Sequence, residues 1–220
     1  MVRNESNLGI HGALRRGMQI LHAEGFAYVA RLDAGDFALP MRFRLQKEFL
    51  DRHPDTAVVG SAFERADDDG RLLCTMHAPT TDPAIRRLKI LSLCLEHPTV
   101  MMRVDAVAAV GNYGDAYPCA EDMDLFLRLM RQYKVANLPE VLTRIVVYEN
   151  GITVRRRRRM IISTIRLQAR DFRAACWADW AGIAKCVSQL LLPRSLFEHL
   201  KLIYLRGDPY RGKPSSAGGA

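Results

Sequence analysis

The chain has 220 residues, 49% hydrophobic and 25% charged, with a formal net charge of +8. That is too apolar for a disordered protein and enough for one ordinary core with a small appendage; only residues 213–220 read as a loose tail. No apolar run is long enough to cross a bilayer, the polar start (Arg3, Asn4, Glu5) is unlike a signal peptide, and five scattered cysteines lack metal or CxxC spacing, so a reduced, cytoplasmic setting is expected.

In chain order, Asn7 is placed to cap a helix whose apolar positions Ile10, Leu14, Met18 and Leu21 recur at helical spacing, with Gly25 ending it. Residues 26–32 read as a short buried strand that runs straight into Asp33, Ala34, Gly35 and Asp36. Pro40 suits the first turn of a helix carrying Phe43, Leu45, Phe49 and Leu50. A buried strand at 57–62 leads to a hairpin turn at Asp69-Gly70, between Phe63-Glu64 and Leu72-Leu73. Residues 82–93 are predicted helical, 99–102 a strand, and 104–110 a helix closed by Gly111. An amphipathic helix is expected over 121–131 and a β-branched strand over 141–148. From Arg155 the pattern is helical almost to Leu205, broken once at Pro193, which puts a boundary near residue 151.

Strands alternating with helices predict an α/β fold: a mainly parallel sheet flanked by helices. Ligands of such sheets gather beyond the carboxyl ends of the strands. Asp33 and Asp36 stand at one such end. Carboxylates there can hold a divalent cation, which neutralises a diphosphate; equally, Asp36 can simply cap the loop before Pro40.

The order of the segments resembles bacterial family 2 glycosyltransferases of the GT-A fold. The similarity runs from Asn7-Leu8-Gly9 and Gly17 through Ala30-Arg31-Leu32-Asp33-Ala34-Gly35-Asp36, Leu39-Pro40 and Arg42. It continues with Val58-Val59-Gly60-Ser61, His97-Pro98-Thr99-Val100-Met101-Met102-Arg103, then Gly111 and Tyr113. Ala120-Glu121-Asp122 with Asp124-Leu125-Phe126-Leu127-Arg128-Leu129, Asn137-Leu138-Pro139, Arg144 and Asn150-Gly151-Ile152-Thr153 complete it. Each piece is short; their common order carries the resemblance.

The resemblance implies an inverting transfer from a nucleotide-diphosphate sugar to a saccharide or polyprenyl-linked acceptor in cell-surface polysaccharide synthesis. Asp122 would be the general base, with Glu121 as a like charge that raises its proton affinity; both acids would also suit any helix N-terminus. Asn7, Arg15, Arg31, Asp33 and Asp36 would face the donor, and His97, Arg103 and Tyr113 the acceptor. Mg²⁺ or Mn²⁺ would sit on Asp33 and Asp36. The sequence departs from the pattern in three places. The nucleotide-binding strands expected before Asn7, roughly 60 residues, are not found, so residues 1–150 read as a partial GT-A domain. Gly35 stands at the usual principal metal position of the aspartate loop. Tyr148 stands where a histidine often completes the metal shell. Two outcomes stay open: a cation held weakly by Asp33 and Asp36, or its replacement by Arg15 or Arg16, whose guanidinium suits a diphosphate.

Residues 151–206 read as a basic helical extension and 207–220 as a flexible tail. The run Arg155 to Arg159 precedes Met160-Ile161-Ile162, Trp177 and Trp180. That pattern suits peripheral association with an anionic inner membrane surface, and packing against the catalytic domain suits the apolar face as well. A homo-oligomer is also among the expected partners. The rival readings are a non-catalytic relative acting as an interaction module, and a nucleic-acid binder supported by charge alone.

Overall fold

The computed structural model describes residues 3–88, 94–148, 156–191 and 211–212. Helix α1 (Gly9–Ala23) starts where Asn7 Oδ1 accepts the Gly9 amide at 2.9 Å. It ends on Gly25, at φ 75°, with the Phe26 amide donating to Leu21 O. Leu14, Met18 and Leu21 turn its apolar stripe onto the core. Strand β1 (Tyr28–Ala30) follows, then the acidic loop, a two-residue strand β2 (Phe37–Ala38) and helix α2 (Arg42–Arg52). A hairpin of β3 (Thr56–Ala66) and β4 (Leu72–Met76) turns at Gly70, φ 82°. Helix α3 (Asp82–Leu88), a 3₁₀ turn (His97–Thr99), strand β5 (Met101–Arg103) and helix α4 (Val104–Ala109) lead to α5 (Glu121–Leu129). Strand β6 (Lys134–Val146) is followed by α6 (Arg157–Arg170), α7 (Trp177–Leu191) and a two-residue strand β7 (Arg211–Gly212).

β3 is the spine of the sheet. Its first half pairs with β5 and its second half with β4, while β6 runs along its other side. The chain is α/β with helices flanking the sheet, but the expected mainly parallel sheet is mixed. Among the described pairings, β3–β6 is parallel, whereas β1–β5, β2–β6, β3–β4, β3–β5 and β4–β7 are antiparallel. Hydrophobic runs announce a buried strand but not its direction, which depends on where the chain re-enters the sheet. β6 also begins earlier than its β-branched half suggests. Pro139 sits where the β3–β6 register shifts between Ser61 and Ala62, the kind of irregularity that accommodates a proline in a strand.

The core lies between the sheet and α1, α4 and α5, with Phe126, Leu125, Leu129 and Val107 fully buried. Behind α5, Leu167 of α6 packs on Ala120, Met123 and Leu127. Arg170 Nη1 reaches Asp124 Oδ1 at 2.7 Å, and Arg128 Nε holds the other carboxylate oxygen at 3.0 Å. Part of the expected membrane-facing extension is therefore packing surface. The break between its helices comes at residues 171–176, where buried Asp179 accepts the amide, Nε and Nη2 of Arg173. Pro193, the run from 149 to 155 and the second half of the helix expected over 82–93 lie outside the described residues. Among the described residues, no helix is long and apolar enough to cross a membrane.

Candidate active site

The loop after β1 is tied down from several sides. The Arg31 amide donates to Val100 O, and the Asp36 amide to Asp33 O through a turn that puts Gly35 at φ 95°. Asp36 Oδ1 accepts the Val146 amide at 2.9 Å, which brings the end of β6 to the loop. Beneath it lies Arg42, with no exposed surface, whose Nη2 donates to Arg31 O at 2.6 Å and whose Nε donates to Gln46 Oε1. Gln46 in turn donates to Val59 O and Thr99 O. A buried polar lattice thus fixes the loop to β3 and to the turn before β5. Burial lowers the Arg42 guanidinium to about 10, and nearby Asp36 counteracts this. Burial also raises Asp36; the Val146 amide opposes the rise, Asp33 adds to it, and Arg31 and Arg42 counter it.

Glu121 and Asp122 open α5, and with Arg31 and Asp33 they act on the Tyr113 hydroxyl. Asp122 Oδ1 accepts the Met123 amide at 2.8 Å. Burial pushes Asp122 up to about 6 against that hydrogen bond, with Glu121 and then Glu96 adding to the rise. Glu96 joins the two sides: burial raises it, Arg65 opposes, and Asp33 and Asp36 both act on it. Sequence reasoning passed over Glu96; its one visible signal was its place directly before His97-Pro98. Arg42 was noticed only as part of the motif, since a buried arginine looks like a surface one in sequence.

The other expected residues are placed as follows. Tyr113 is buried, and its hydroxyl lies 2.8 Å from His97 Nε2. The His97 ring also packs edge-on to Phe126. Burial, with Arg31 adding, pushes His97 down to about 3, so it is neutral across the physiological range. The two side chains thus hold each other, and Tyr113 has almost no exposed surface. Arg103 donates to Thr56 O, Leu50 O and His53 O, which staples α2 to β3. Asn7 caps α1. Arg15 donates to Tyr113 O at 2.8 Å, and Arg16 to Asn4 Oδ1. Of the arginines expected near a diphosphate, Arg31 is the one joined to the acidic loop, through Asp33 Oδ1.

The metal positions test differently from the donor ones. Among the described residues, no three His, Cys, Asp or Glu side chains converge on one point. A Cβ on Gly35 would stand 2.6 Å from Tyr148 Oη, so the two departures from the family pattern are one packed unit. Asp33 and Asp36 remain at the strand end. They fit a cation shared with a ligand's phosphates, since Mg²⁺ is commonly bound through one or two carboxylates plus phosphate oxygens.

The acidic loop at the end of β1 and the carboxylates at the start of α5 thus share one electrostatic neighbourhood around Tyr113. The sequence profile described as Glycosyl transferase family 2 matches residues 1–111, and the chain belongs to that family. It is 30% identical over 164 residues to the amylovoran biosynthesis glycosyltransferase AmsE of Erwinia amylovora, covering 74% of this chain and 60% of that protein. It is 28% identical over 211 residues to an uncharacterised glycosyltransferase of Haemophilus influenzae, covering 94% of this chain and 77% of that one. The mannosyltransferase PcManGT of Pyrobaculum calidifontis, solved with GDP-Man and Mn²⁺, superposes with a TM-score of 0.54 at 15% identity, over 95% of this chain and 63% of its own. The last likeness establishes the fold. The chain thus spans about 60% of the length of AmsE.

Proposed function

We propose that this chain transfers a sugar from a nucleotide-diphosphate donor to a hydroxyl of a saccharide or polyprenyl-linked acceptor, with inversion at the anomeric carbon. The observation that carries this is Asp122, raised to about 6 by burial at the mouth of α5, in the same electrostatic neighbourhood as the Arg31–Asp33 loop. A carboxylate with that proton affinity is mostly ionised at neutral pH, yet a better proton acceptor than a solvated aspartate. Asp122 takes the acceptor proton as the oxygen attacks the anomeric carbon, and the nucleotide diphosphate leaves toward Arg31. Asp33 and Asp36 would hold Mg²⁺ or Mn²⁺, which when bound supplies charge neutralisation for the leaving diphosphate. A role in cell-surface polysaccharide synthesis is supported by the name of the AmsE relative.

Sugar-transfer assays with and without Asp122→Asn test the assignment. Loss of the base should lower turnover by about 10² to 10⁴ while donor affinity stays near that of the wild type. Unchanged turnover would remove Asp122 from the mechanism.

We also propose that the C-terminal helices meet an anionic membrane surface on the cytoplasmic side. Ile162, Trp177, Trp180 and Leu191 are exposed on α6 and α7, and Arg156, Arg158 and Arg159 are exposed at the start of α6. Each basic residue near such a surface contributes about 1 kcal/mol. Flotation with vesicles of rising phosphatidylserine content should show binding that grows with lipid charge and falls with salt; no dependence on either would count against it.

A further inference from the structure

Asp33, Asp36 and Glu96 each come with their own counter-cation. Arg31 Nη2 donates to Asp33 Oδ1. Arg42 lies buried behind Asp36, close enough to act on its carboxyl. Arg65 Nη2 stands 3.9 Å from Glu96 Oε1. The space above Gly35, where a further carboxylate would have to stand, is filled by the Tyr148 hydroxyl. A free divalent cation approaching this loop would find its charges already matched. The number and charge of oxygen ligands set the affinity of hard-cation sites, so this loop is weak toward a cation by itself.

Of these three pairs, Arg31–Asp33 is the hydrogen-bonded one with an exposed carboxylate; Arg65–Glu96, at 3.9 Å, is too long for a hydrogen bond. Arg42 is wholly enclosed and committed to Arg31 O and Gln46. The Asp33 side chain is 48% exposed, whereas that of Arg31 is 21% exposed and anchored by Nη1 on Leu32 O. Arg31 Nε is buried without a hydrogen-bond partner. A planar guanidinium with one edge anchored and the other on an exposed carboxylate can exchange that carboxylate for a phosphate, which it binds by the same fork geometry.

Resting on the donor reading above, we infer that Arg31 and Asp33 form an exchange pair that couples the cation to the diphosphate. The diphosphate takes over the Arg31 guanidinium, and the freed Asp33 carboxylate faces the cation carried by the phosphates. Cation and diphosphate then strengthen each other's binding, and linkage makes the strengthening reciprocal. Arg31 becomes a donor-binding group and, in the same motion, the gate on the cation. The Tyr148–Gly35 contact keeps a further carboxylate from bypassing that gate.

The test is two titrations of the whole chain, each with one probe alone: Mn²⁺ followed by electron paramagnetic resonance, and inorganic pyrophosphate in EDTA followed by calorimetry. Arg31→Gln frees Asp33, so Mn²⁺ binding should strengthen about tenfold while pyrophosphate binding weakens by about as much. Asp33→Asn should do the reverse, with Mn²⁺ weakened and pyrophosphate strengthened. Opposite signs within each variant are the signature, since simple damage to the loop weakens both ligands together. Thermal melts check folding, and Asp33→Asn, altered at a half-exposed position, reports the exchange if Arg31→Gln melts early. Either probe unmoved in both variants, or both probes shifted the same way in a folded variant, overturns the exchange pair. Neither titration reads sugar transfer. A chain that passed both yet transferred no sugar would sink the transferase reading and leave the exchange pair standing.

Discussion

Two acidic segments, Asp33 and Asp36 after β1 and Glu121 and Asp122 at the start of α5, act on the same neighbours, Glu96 and Tyr113. In sequence they look alike: paired acids next to apolar runs. In the fold they meet different partners, although burial raises both Asp36 and Asp122. Asp33 bonds Arg31, and Asp36 sits over Arg42 and holds the Val146 amide. Asp122 holds one amide, while burial, Glu121 and Glu96 all favour its protonated form. Matched charge makes a platform that can exchange partners with a ligand. Carboxylates left to repel each other in a poorly solvated place hold a proton more tightly and can move it.

The comparison breaks most visibly if the platform is removed. Arg42→Met strips the donors from Arg31 O and Val100 O and leaves Gln46 Oε1 without its arginine. Loss of a buried charged hydrogen-bonding group of this kind costs about 3 kcal/mol. Chemical denaturation should show that loss, and a variant as stable as wild type would mean the lattice does not hold the loop. Next in size is Gly35→Ala, which forces a Cβ to 2.6 Å from Tyr148 Oη at a φ of 95°. A strained backbone position costs about 1–3 kcal/mol. Adding Tyr148→Ala should recover the contact part but not the backbone part, and full recovery would show that φ at Gly35 is not strained by a side chain.

Smaller effects sharpen the other side. Tyr113→Phe removes the hydroxyl from His97 and should cost about 1 kcal/mol of stability with little change in turnover. A collapse of turnover without loss of stability would return Tyr113 to the chemistry. The Asp122 ionisation should also show in stability. Its folded-state affinity for a proton is raised from 3.8 to about 6, so the native state carries no penalty below the unfolded value and loses stability as pH rises through that window. Asp122→Asn should therefore gain on wild type between pH 4 and about 6.5 in thermal melts, and hold that gain above. A difference that shrinks with rising pH would give the shift the wrong sign.

Much of this was legible in the sequence, and what was missed has a pattern. The stop at Gly25 and the Asp69-Gly70 turn declared themselves because local chemistry dictates them. Asp33, Asp36 and Asp122 stood out as acids at element ends. Strand direction was not legible, because β5 is three residues long and its antiparallel entry is set by the turn at His97–Thr99 and by Arg103, bonded to carbonyls about 50 positions away. Arg42, Glu96 and the Tyr148–Gly35 contact were invisible for a related reason. A buried guanidinium, a carboxylate between two acidic segments, and a tyrosine over a glycine more than 100 residues earlier are facts of tertiary packing. The hydrogen bonds that His97, Tyr113 and Arg103 make within the protein, His97 with the Tyr113 hydroxyl and Arg103 with carbonyls of α2 and β3, were likewise not legible in the sequence.

The contrast between a matched and an unmatched acid pair rests on the proton affinity of Asp122, and the pH dependence of kcat/KM for sugar transfer tests it most directly. With Asp122 as the base, activity should rise with pH through an ionisation near 6, as that group loses its proton. In Asp122→Asn the residual rate should lack that limb. A wild-type profile flat between pH 4.5 and 8, or a limb near 6 that survives in Asp122→Asn, would contradict the account.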